Sequence, residues 1–285
     1  MIAKFHEPIY EGIDLLSKSS VNSMFILGEG GTGKSYSVDK ALESIDKEYV
    51  VFSGYMSEPK FFEYIRDNSD KIIVLRDFSA LFKNKAFIDF LKSATEIAPK
   101  RIISRMVSTK ASEECPTIEF TGKLIVEANN IPNKYKSDLD AIKSRALNIE
   151  INPSPDELKT LMRSICKNDL QKSATEYLLS KDLVYKNLMN LRTQAILFEM
   201  LSIYPDWEAR FDRYLDTQVQ EGTKLLYRYC GDGQVKRIEF VRYLMHIFNI
   251  SYATAQNRVD KYLFLNHFKS NGLKKQALLS IREFT

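Results

Sequence analysis

A glycine-rich segment near the start of the chain combines the residue types that bind phosphate. The letters GEGGTGKS run from Gly28 to Ser35 and fit the spacing G-x-x-x-x-G-K-[ST]. Glycines let backbone N–H groups turn toward phosphate oxygens, the lysine neutralises the β- and γ-phosphates, and the serine hydroxyl binds Mg²⁺. We therefore expect ATP and Mg²⁺ as ligands. The candidate nucleotide-binding residues are Gly28, Glu29, Gly30, Gly31, Thr32, Gly33, Lys34 and Ser35.

The segments that must position this loop alternate between strand and helix patterns. Helical spacing follows the loop directly, and another helical pattern covers 57–68. The predicted strands are 24–27, 48–54, 71–77, 122–130 and 145–152. Strands that alternate with helices are typical of the α/β class, with a parallel five-stranded sheet flanked by helices on both faces. Nucleotide would bind at the carboxyl ends of these strands.

The order of these parts resembles that of AAA+ ATPases. The segment LIVEANNIP is similar to the sensor-1 strand, in which a polar residue orients the water that attacks the γ-phosphate. Asn129 matches that residue, Asn130 is the neighbouring alternative, and an Asx turn before Pro132 is the structural alternative. The segment LDAIKSRALNIEI resembles the Ser-Arg motif of clamp loaders and replication initiators. The resemblance implies that Arg145 is an arginine finger acting on a neighbouring subunit, so the chain would form a homo-oligomer.

A helical lid would follow the sheet. The segment YKNLMNLRTQAILFEML resembles the sensor-2 helix of the same family, which implies that Arg192 faces the phosphates. The structural alternatives are an amphipathic helix with one exposed arginine for Arg192, and a surface ion pair at a helix end for Arg145.

The strand that should end in two acids departs from the family pattern. It reads IIVLRDF, so Arg76 and Asp77 follow the apolar run. If the apolar run ends at Leu75, Arg76 occupies the metal-binding position and Asp77 the water-activating position. If the strand is shifted by one residue, Asp77 binds the metal and Phe78 replaces the second acid. Glu127 on an adjacent strand could supply a carboxylate, but alternation along the strand argues against it. Asp77 is therefore the candidate residue for binding the metal and for activating water. With one acid in place of two, we expect slow, oligomer-dependent ATP hydrolysis.

The segment between these strands resembles an insertion of phage- and mobile-element-encoded AAA+ ATPases, in which a similar LKSAT helix leads to a basic two-stranded ribbon. Arg101, Ile103, Arg105 and Val107 alternate as a half-exposed strand would. Such a ribbon could contact nucleic acid or a neighbouring subunit, or serve as a solvated edge that discourages strand pairing.

The C-terminal part of the chain is basic, whereas the rest of the chain is close to neutral. Residues 221–285 hold eleven Lys/Arg and five Asp/Glu, a net of +6, whereas the rest of the chain has a net of −2. Two helical patterns and two short strands around SNGLKK follow a break at GDGQ, which is the order of a winged helix. One helix face and the wing would contact DNA, although winged helices also dock proteins. The candidate DNA-binding residues are Thr254, Asn257, Arg258, Lys261, Lys269, Lys274 and Lys275.

The sequence thus predicts a base domain at 1–152, a helical lid at 153–205 and a winged-helix domain at 206–285. It resembles replication initiators and helicase loaders, which implies assembly on DNA with a replicative helicase or another replication protein as partner. A ring helicase or translocase, and a signalling switch whose winged helix packs on protein, are the alternatives. With no signal peptide, no membrane-spanning run and three scattered cysteines, we expect a cytoplasmic protein.

Overall fold

The computed structural model describes residues 3–77, 82, 84–104, 107–108, 113–114, 116–129, 136–181, 188–219, 221–231, 233–264, 269–271 and 278–280. The chain divides into two compact units, Met1–Leu161 and Met162–Thr285. The predicted limits of the base, lid and winged-helix domains stay predictions. None of the helices in the described ranges is long and apolar enough to cross a membrane.

The first unit combines strands and helices in alternation after a 3-10 turn at Lys4–His6. Its strands are β1 (Ser23–Gly28), β2 (Tyr49–Ser53), β3 (Ile72–Arg76), β4 (Arg101–Ser104), β5 (Val107–Ser108), β6 (Glu113–Glu114), β7 (Thr117–Phe120), β8 (Lys123–Ala128) and β9 (Leu147–Ile151). Its helices are α1 (Glu7–Lys18), α2 (Lys34–Glu43), α3 (Glu58–Asp67), α4 (Lys85–Ala94), α5 (Lys136–Lys143) and the start of α6 (Pro155–Ser164).

The central sheet has five strands in the order β2-β3-β8-β1-β9, all parallel. This confirms the predicted α/β fold with its parallel five-stranded sheet. On β3, Ile73 and Leu75 pack with α3 and α4 on one face, and Ile72 and Val74 pack with α1 and α2 on the other. Because both faces are covered, the strands are near-continuous apolar runs.

The predicted two-stranded ribbon is present, but one of its basic residues points inward. Strand β4 pairs antiparallel with β7, and β5 pairs with β6. Arg101 is 1% exposed and donates to the carbonyl oxygens of Ala94, Phe120 and Gly122, with its guanidinium over the Phe120 ring. The alternation is as predicted, but the face that holds Arg101 is the buried one, so Arg101 is not accessible to nucleic acid, to a neighbouring subunit or to solvent. Arg105 lies outside the described residues.

The second unit is helical at first and ends in a small sheet. Its remaining elements are α7 (Asp169–Leu179), α8 (Leu191–Ile203), α9 (Trp207–Gln218), α10 (Glu221–Cys230), β10 (Val235–Lys236), α11 (Arg237–Phe248), α12 (Tyr252–Phe264), β11 (Lys269–Asn271) and β12 (Leu278–Ser280). The sheet order is β10-β12-β11, with antiparallel pairs. Phe240 and Leu244 of α11, Ala255 and Val259 of α12, and Leu279 of β12 share one core.

The two C-terminal helices and two of the strands follow the predicted order. Ser251 caps α12, because its Oγ accepts from the Thr254 N–H at 3.2 Å. Strand β10, which no sequence pattern predicted, supplies a third strand. The assignment of this arrangement as a winged helix stays a proposal.

Candidate nucleotide-binding site

The glycine-rich loop joins the end of β1 to the start of α2. Gly28 has a φ of 148° and Gly33 a φ of 87°, values that L side chains rarely adopt. A Cβ at Gly28 would also lie 2.2 Å from the Ile151 carbonyl oxygen of the neighbouring strand β9. Glycine is therefore required here by both the backbone and the packing, and the N-terminus of α2 opens toward the loop.

Lys34 lies inside this loop. Its side chain donates to the carbonyl oxygens of Gly28 at 2.6 Å and Glu29 at 2.5 Å, and its Nζ lies 3.4 Å from Asn129 Oδ1. The fold thus brings together the lysine and the asparagine that the sequence singled out, because β8 lies directly beside β1. Asn129 is exposed, and its role in orienting water stays a prediction. Asn130 lies outside the described residues.

His6 supports the loop from the N-terminal segment, a contact that no sequence pattern indicated. Its Nε2 donates to the Thr32 carbonyl oxygen at 2.8 Å, and the ring is buried. Burial lowers the pKa of His6; the charge of Lys34 also lowers it, and the hydrogen bond to Thr32 opposes the shift. The imidazole is therefore kept neutral beneath the loop.

Glu127 contacts Ser35, the serine that is predicted to bind Mg²⁺. The Ser35 hydroxyl donates to Glu127 Oε2 at 2.6 Å, and the glutamate is 4% exposed. The expectation that strand alternation aims Glu127 away from the site is wrong. Glu127 follows Ile125 by two residues and shares its face of the sheet, and Ile125 packs on the side that α2 covers. Since Ser35 lies in the first turn of that helix, alternation directs Glu127 toward the loop.

Arg76, the last residue of β3, links Glu127 to α2. Its Nε donates to Glu127 Oε1 at 2.6 Å and its Nη2 to Asp39 Oδ1 at 2.7 Å. Burial acts to lower the pKa of Arg76, but the hydrogen bonds with Asp39 and Glu127 outweigh it and raise the pKa. The residue that interrupts the expected pair of acids is thus a partner of two carboxylates beside the loop.

Asp77 follows the strand in a different setting. Its φ is 48°, in the left-handed region that Asp tolerates better than most residues, and its side chain is exposed. The described part of the chain offers no hydrogen-bond or ion-pair partner to this side chain. Its assignment to metal or water stays a prediction.

The two predicted arginines lie in different units. Arg145 is exposed in the turn after α5, with its Nη1 3.5 Å from the Lys92 carbonyl oxygen of its own chain. Arg192 is the second residue of α8 in the second unit and is exposed. Their roles as a finger and as a phosphate sensor stay predictions.

The candidate DNA-binding face of α12 is partly solvent-accessible. Thr254, Asn257 and Lys261 are exposed, whereas Arg258 is half-buried, with its guanidinium 4.2 Å from the Phe248 ring centroid. Lys269 lies in β11, and Lys274 and Lys275 lie outside the described residues.

The residues around the loop fit a magnesium nucleotide. Glycines 28 and 33 leave the loop free of side chains at its turns, Lys34 lies within it, and the Ser35 hydroxyl adjoins a carboxylate. Among the described residues no group of three or more His, Cys, Asp or Glu could hold a metal by itself. Mg²⁺ is usually held by one or two protein oxygens together with substrate phosphates, which suits this donor set.

The comparisons with known proteins bear on the fold. No protein-family model and no curated protein matches the chain. Among solved structures, a proline-to-glycine mutant of Thermotoga maritima RuvB superposes with a TM-score of 0.51 at 15% identity, covering 96% of this chain and 91% of that one. The structure of Thermotoga maritima RuvB described as a Holliday junction branch migration motor gives a TM-score of 0.50 at 14% identity, covering 97% and 91%. At this level of identity the likeness is one of fold: this chain shares with RuvB a parallel five-stranded sheet with flanking helices.

Proposed function

We propose that this chain is an ATPase that binds ATP with Mg²⁺, oligomerises and assembles on DNA, in replication initiation or helicase loading. The observation that carries the proposal is that Lys34 meets Asn129, and Ser35 meets Glu127, where β1 and β8 end side by side. Parallel α/β sheets bind nucleotide at this edge, and the loop offers N–H groups, a helix N-terminus and an ammonium to the phosphates.

In this proposal each residue has a defined task. Lys34 neutralises the phosphates, Ser35 binds the metal, Asp77 binds the metal or activates the attacking water, and Asn129 orients that water. Bound Mg²⁺ would offset the charge that develops on the transferred phosphoryl group. Arg145 stabilises that charge from a neighbouring subunit, and Arg192 reports the nucleotide state from the lid. Dependence on a second subunit makes slow turnover by the isolated chain the expected behaviour.

Action on DNA is supported by charge and by the C-terminal elements. Residues 221–285 carry a net charge of +6. Helix α12 exposes Thr254, Asn257 and Lys261 along its length, as a major-groove helix would. RuvB, one of the structural neighbours, is described as a Holliday junction branch migration motor, which is compatible with a DNA-dependent ATPase.

That same description favours a second candidate, a ring translocase or helicase. Unwinding of a duplex, or turnover strongly stimulated by DNA without another protein, would favour the translocase. Assembly on DNA that recruits a replicative helicase without unwinding by itself would favour the loader.

Nucleotide binding is tested first. We expect the full chain to bind ATP in isothermal titration calorimetry and Lys34→Ala to lose that binding, while Lys40→Ala in the exposed part of the same helix serves as the matched control. Wild type that binds no nucleotide would contradict the proposal.

DNA binding is tested with the full chain by fluorescence anisotropy across a salt series. We expect affinity to fall steeply with salt, and Asn257→Ala combined with Lys261→Ala to weaken it about tenfold or more. Lys172→Ala, an exposed lysine on α7, should bind as wild type does. If the chain binds nucleotide but has no affinity for DNA, the proposal that it assembles on DNA is contradicted and the signalling switch is favoured.

A further inference from the structure

We propose that Glu127 is the carboxylate that holds Mg²⁺ beside Ser35, the task that the sequence pattern gave to an acid at the end of β3. This inference rests on the proposed ATPase function and deepens it, because it assigns the metal-binding acid to β8 and not to the end of β3. Strand β8 lies between β1 and β3, so a side chain near its end is close to both the phosphate loop and the interrupted acidic strand.

The two oxygens of Glu127 have different partners. Oε1 accepts from Arg76 Nε at 2.6 Å, which fixes the carboxylate plane. Oε2 accepts from the Ser35 hydroxyl at 2.6 Å. A serine at this place in a phosphate loop binds Mg²⁺ through its oxygen, so Oε2 is presented at the atom that would contact the metal.

The charges around Glu127 favour a further cation. Arg76 contributes one positive charge against the two carboxylates of Asp39 and Glu127, so this group of three carries a net charge of −1. Because Glu127 is 4% exposed, solvent screens its share of that charge weakly. A divalent cation at Ser35 would find a partly uncompensated, oriented carboxylate oxygen, which is the hard donor that Mg²⁺ prefers.

Asp77 is placed less favourably for the same task. It lies beyond the last residue of β3, it is exposed, and no hydrogen bond among the described residues joins it to Ser35 or Glu127. The sequence pattern pointed to Asp77 because it is the acid next to the apolar run. The contacts point to Glu127.

The experiment measures the effect of Mg²⁺ on nucleotide affinity, independently of turnover. The full chain is titrated with a non-hydrolysable ATP analogue by calorimetry, once with excess Mg²⁺ and once with EDTA. We expect Glu127→Gln to weaken binding in Mg²⁺ by about 10–100-fold, with little change in EDTA. Binding of Mn²⁺ with the same analogue, followed by electron paramagnetic resonance, should fall in parallel.

Two further variants keep the result interpretable. Glu43→Gln removes a carboxylate from the exposed part of α2, where it pairs with Lys40, so the Mg²⁺ effect should stay as in wild type. Glu127→Asp keeps the charge but withdraws the oxygens by one methylene, so an intermediate loss is expected. A thermal melt without nucleotide shows which variants are folded. If Glu127→Gln is unfolded, Glu127→Asp is used for the test.

The outcomes separate the two proposals. If wild type binds the analogue and folded Glu127 variants keep the full Mg²⁺ effect while Asp77→Asn loses it, Glu127 is not the metal carboxylate and the ATPase proposal stands. If wild type binds no nucleotide in either buffer, the ATPase proposal fails and the assignment of Glu127 fails with it.

Discussion

Arg76 and Glu127 stand opposite each other on the neighbouring parallel strands β3 and β8, and their side chains form a 2.6 Å ion pair. The arginine side chain is 17% exposed and the glutamate 4%. A pair so enclosed cannot lose one partner without leaving the other charge poorly solvated. The arginine that interrupts the sequence pattern is therefore part of the structure of the site.

Removal of Arg76 alone should destabilise the protein. We expect Arg76→Met to lower the free energy of unfolding by about 3 kcal/mol, because Glu127 keeps its charge without its partner. The double variant Arg76→Met, Glu127→Met should recover much of that loss in a double-mutant cycle measured by urea unfolding. Lys60→Met, which breaks an exposed ion pair with Glu63, is the control and should change nothing measurable. Additive effects of the two changes would contradict the coupling.

The same pair shows how far the sequence predicts the site. The loop, the strands and Asn129 follow from local patterns, because glycine spacing and apolar runs are local properties. The position of Glu127 depends on which helix covers each face of the sheet, which alternation alone does not give. Once α2 is known to cover the face of Ile125, the same alternation places Glu127 beside Ser35.

Arg101 illustrates the same limit. Its alternation with Ile102, Ile103 and Ser104 predicts a half-buried strand, and that is observed. The pattern has an arginine and an isoleucine on one face, and an isoleucine and a serine on the other. The composition of the two faces does not predict which of them is buried. In the structure the face with Arg101 is buried, because Arg101 donates to the carbonyl oxygens at the ends of α4 and β7.

We predict that Arg101 stabilises the fold and does not contact DNA. Arg101→Met should lower the free energy of unfolding by about 3 kcal/mol, because buried carbonyl groups lose their charged donor. Under conditions where the variant is folded, its DNA affinity should equal that of wild type. Lys100→Met, at the exposed neighbouring position, is the matched control and should leave stability unchanged. A folded Arg101 variant with weakened DNA binding would refute the structural role.

Acid should destabilise the protein in part through His6. The ordinary pKa of histidine is 6.5, and burial lowers the pKa of His6 in the folded state. Below pH 6.5 the unfolded chain therefore binds a proton that the folded chain does not, and the free energy of unfolding falls as the pH falls, until His6 protonates in the folded state. His6→Gln should flatten this part of the profile when urea unfolding is compared at pH 7 and pH 5. An unchanged slope in the variant would show that His6 does not contribute.

Gly28 should tolerate alanine less well than Gly54. Both have positive φ values, 148° and 114°, so both substitutions strain the backbone. Only at Gly28 would the new Cβ meet a carbonyl oxygen, that of Ile151, whereas nothing lies within 4 Å at Gly54. We expect Gly28→Ala to lower the free energy of unfolding by roughly 2 kcal/mol more than Gly54→Ala. Equal losses, measured by thermal melts with calorimetry, would mean that β9 yields to the added methyl group.

Arg145 offers the sharpest test of assembly. It is exposed beyond α5, and its described contact with its own chain is a long one to the Lys92 carbonyl oxygen. If Arg145 acts on a neighbouring subunit, Arg145→Ala should lower ATP turnover by about 10³-fold or more. Mixing Arg145→Ala with Lys34→Ala should then restore activity, since one variant supplies an intact phosphate loop and the other an intact finger. The double variant Lys34→Ala, Arg145→Ala mixed with Arg145→Ala is the control, and it should stay inactive because neither chain supplies a finger. Two inactive variants that stay inactive after mixing, while light scattering shows mixed oligomers, would place Arg145 outside the neighbouring site.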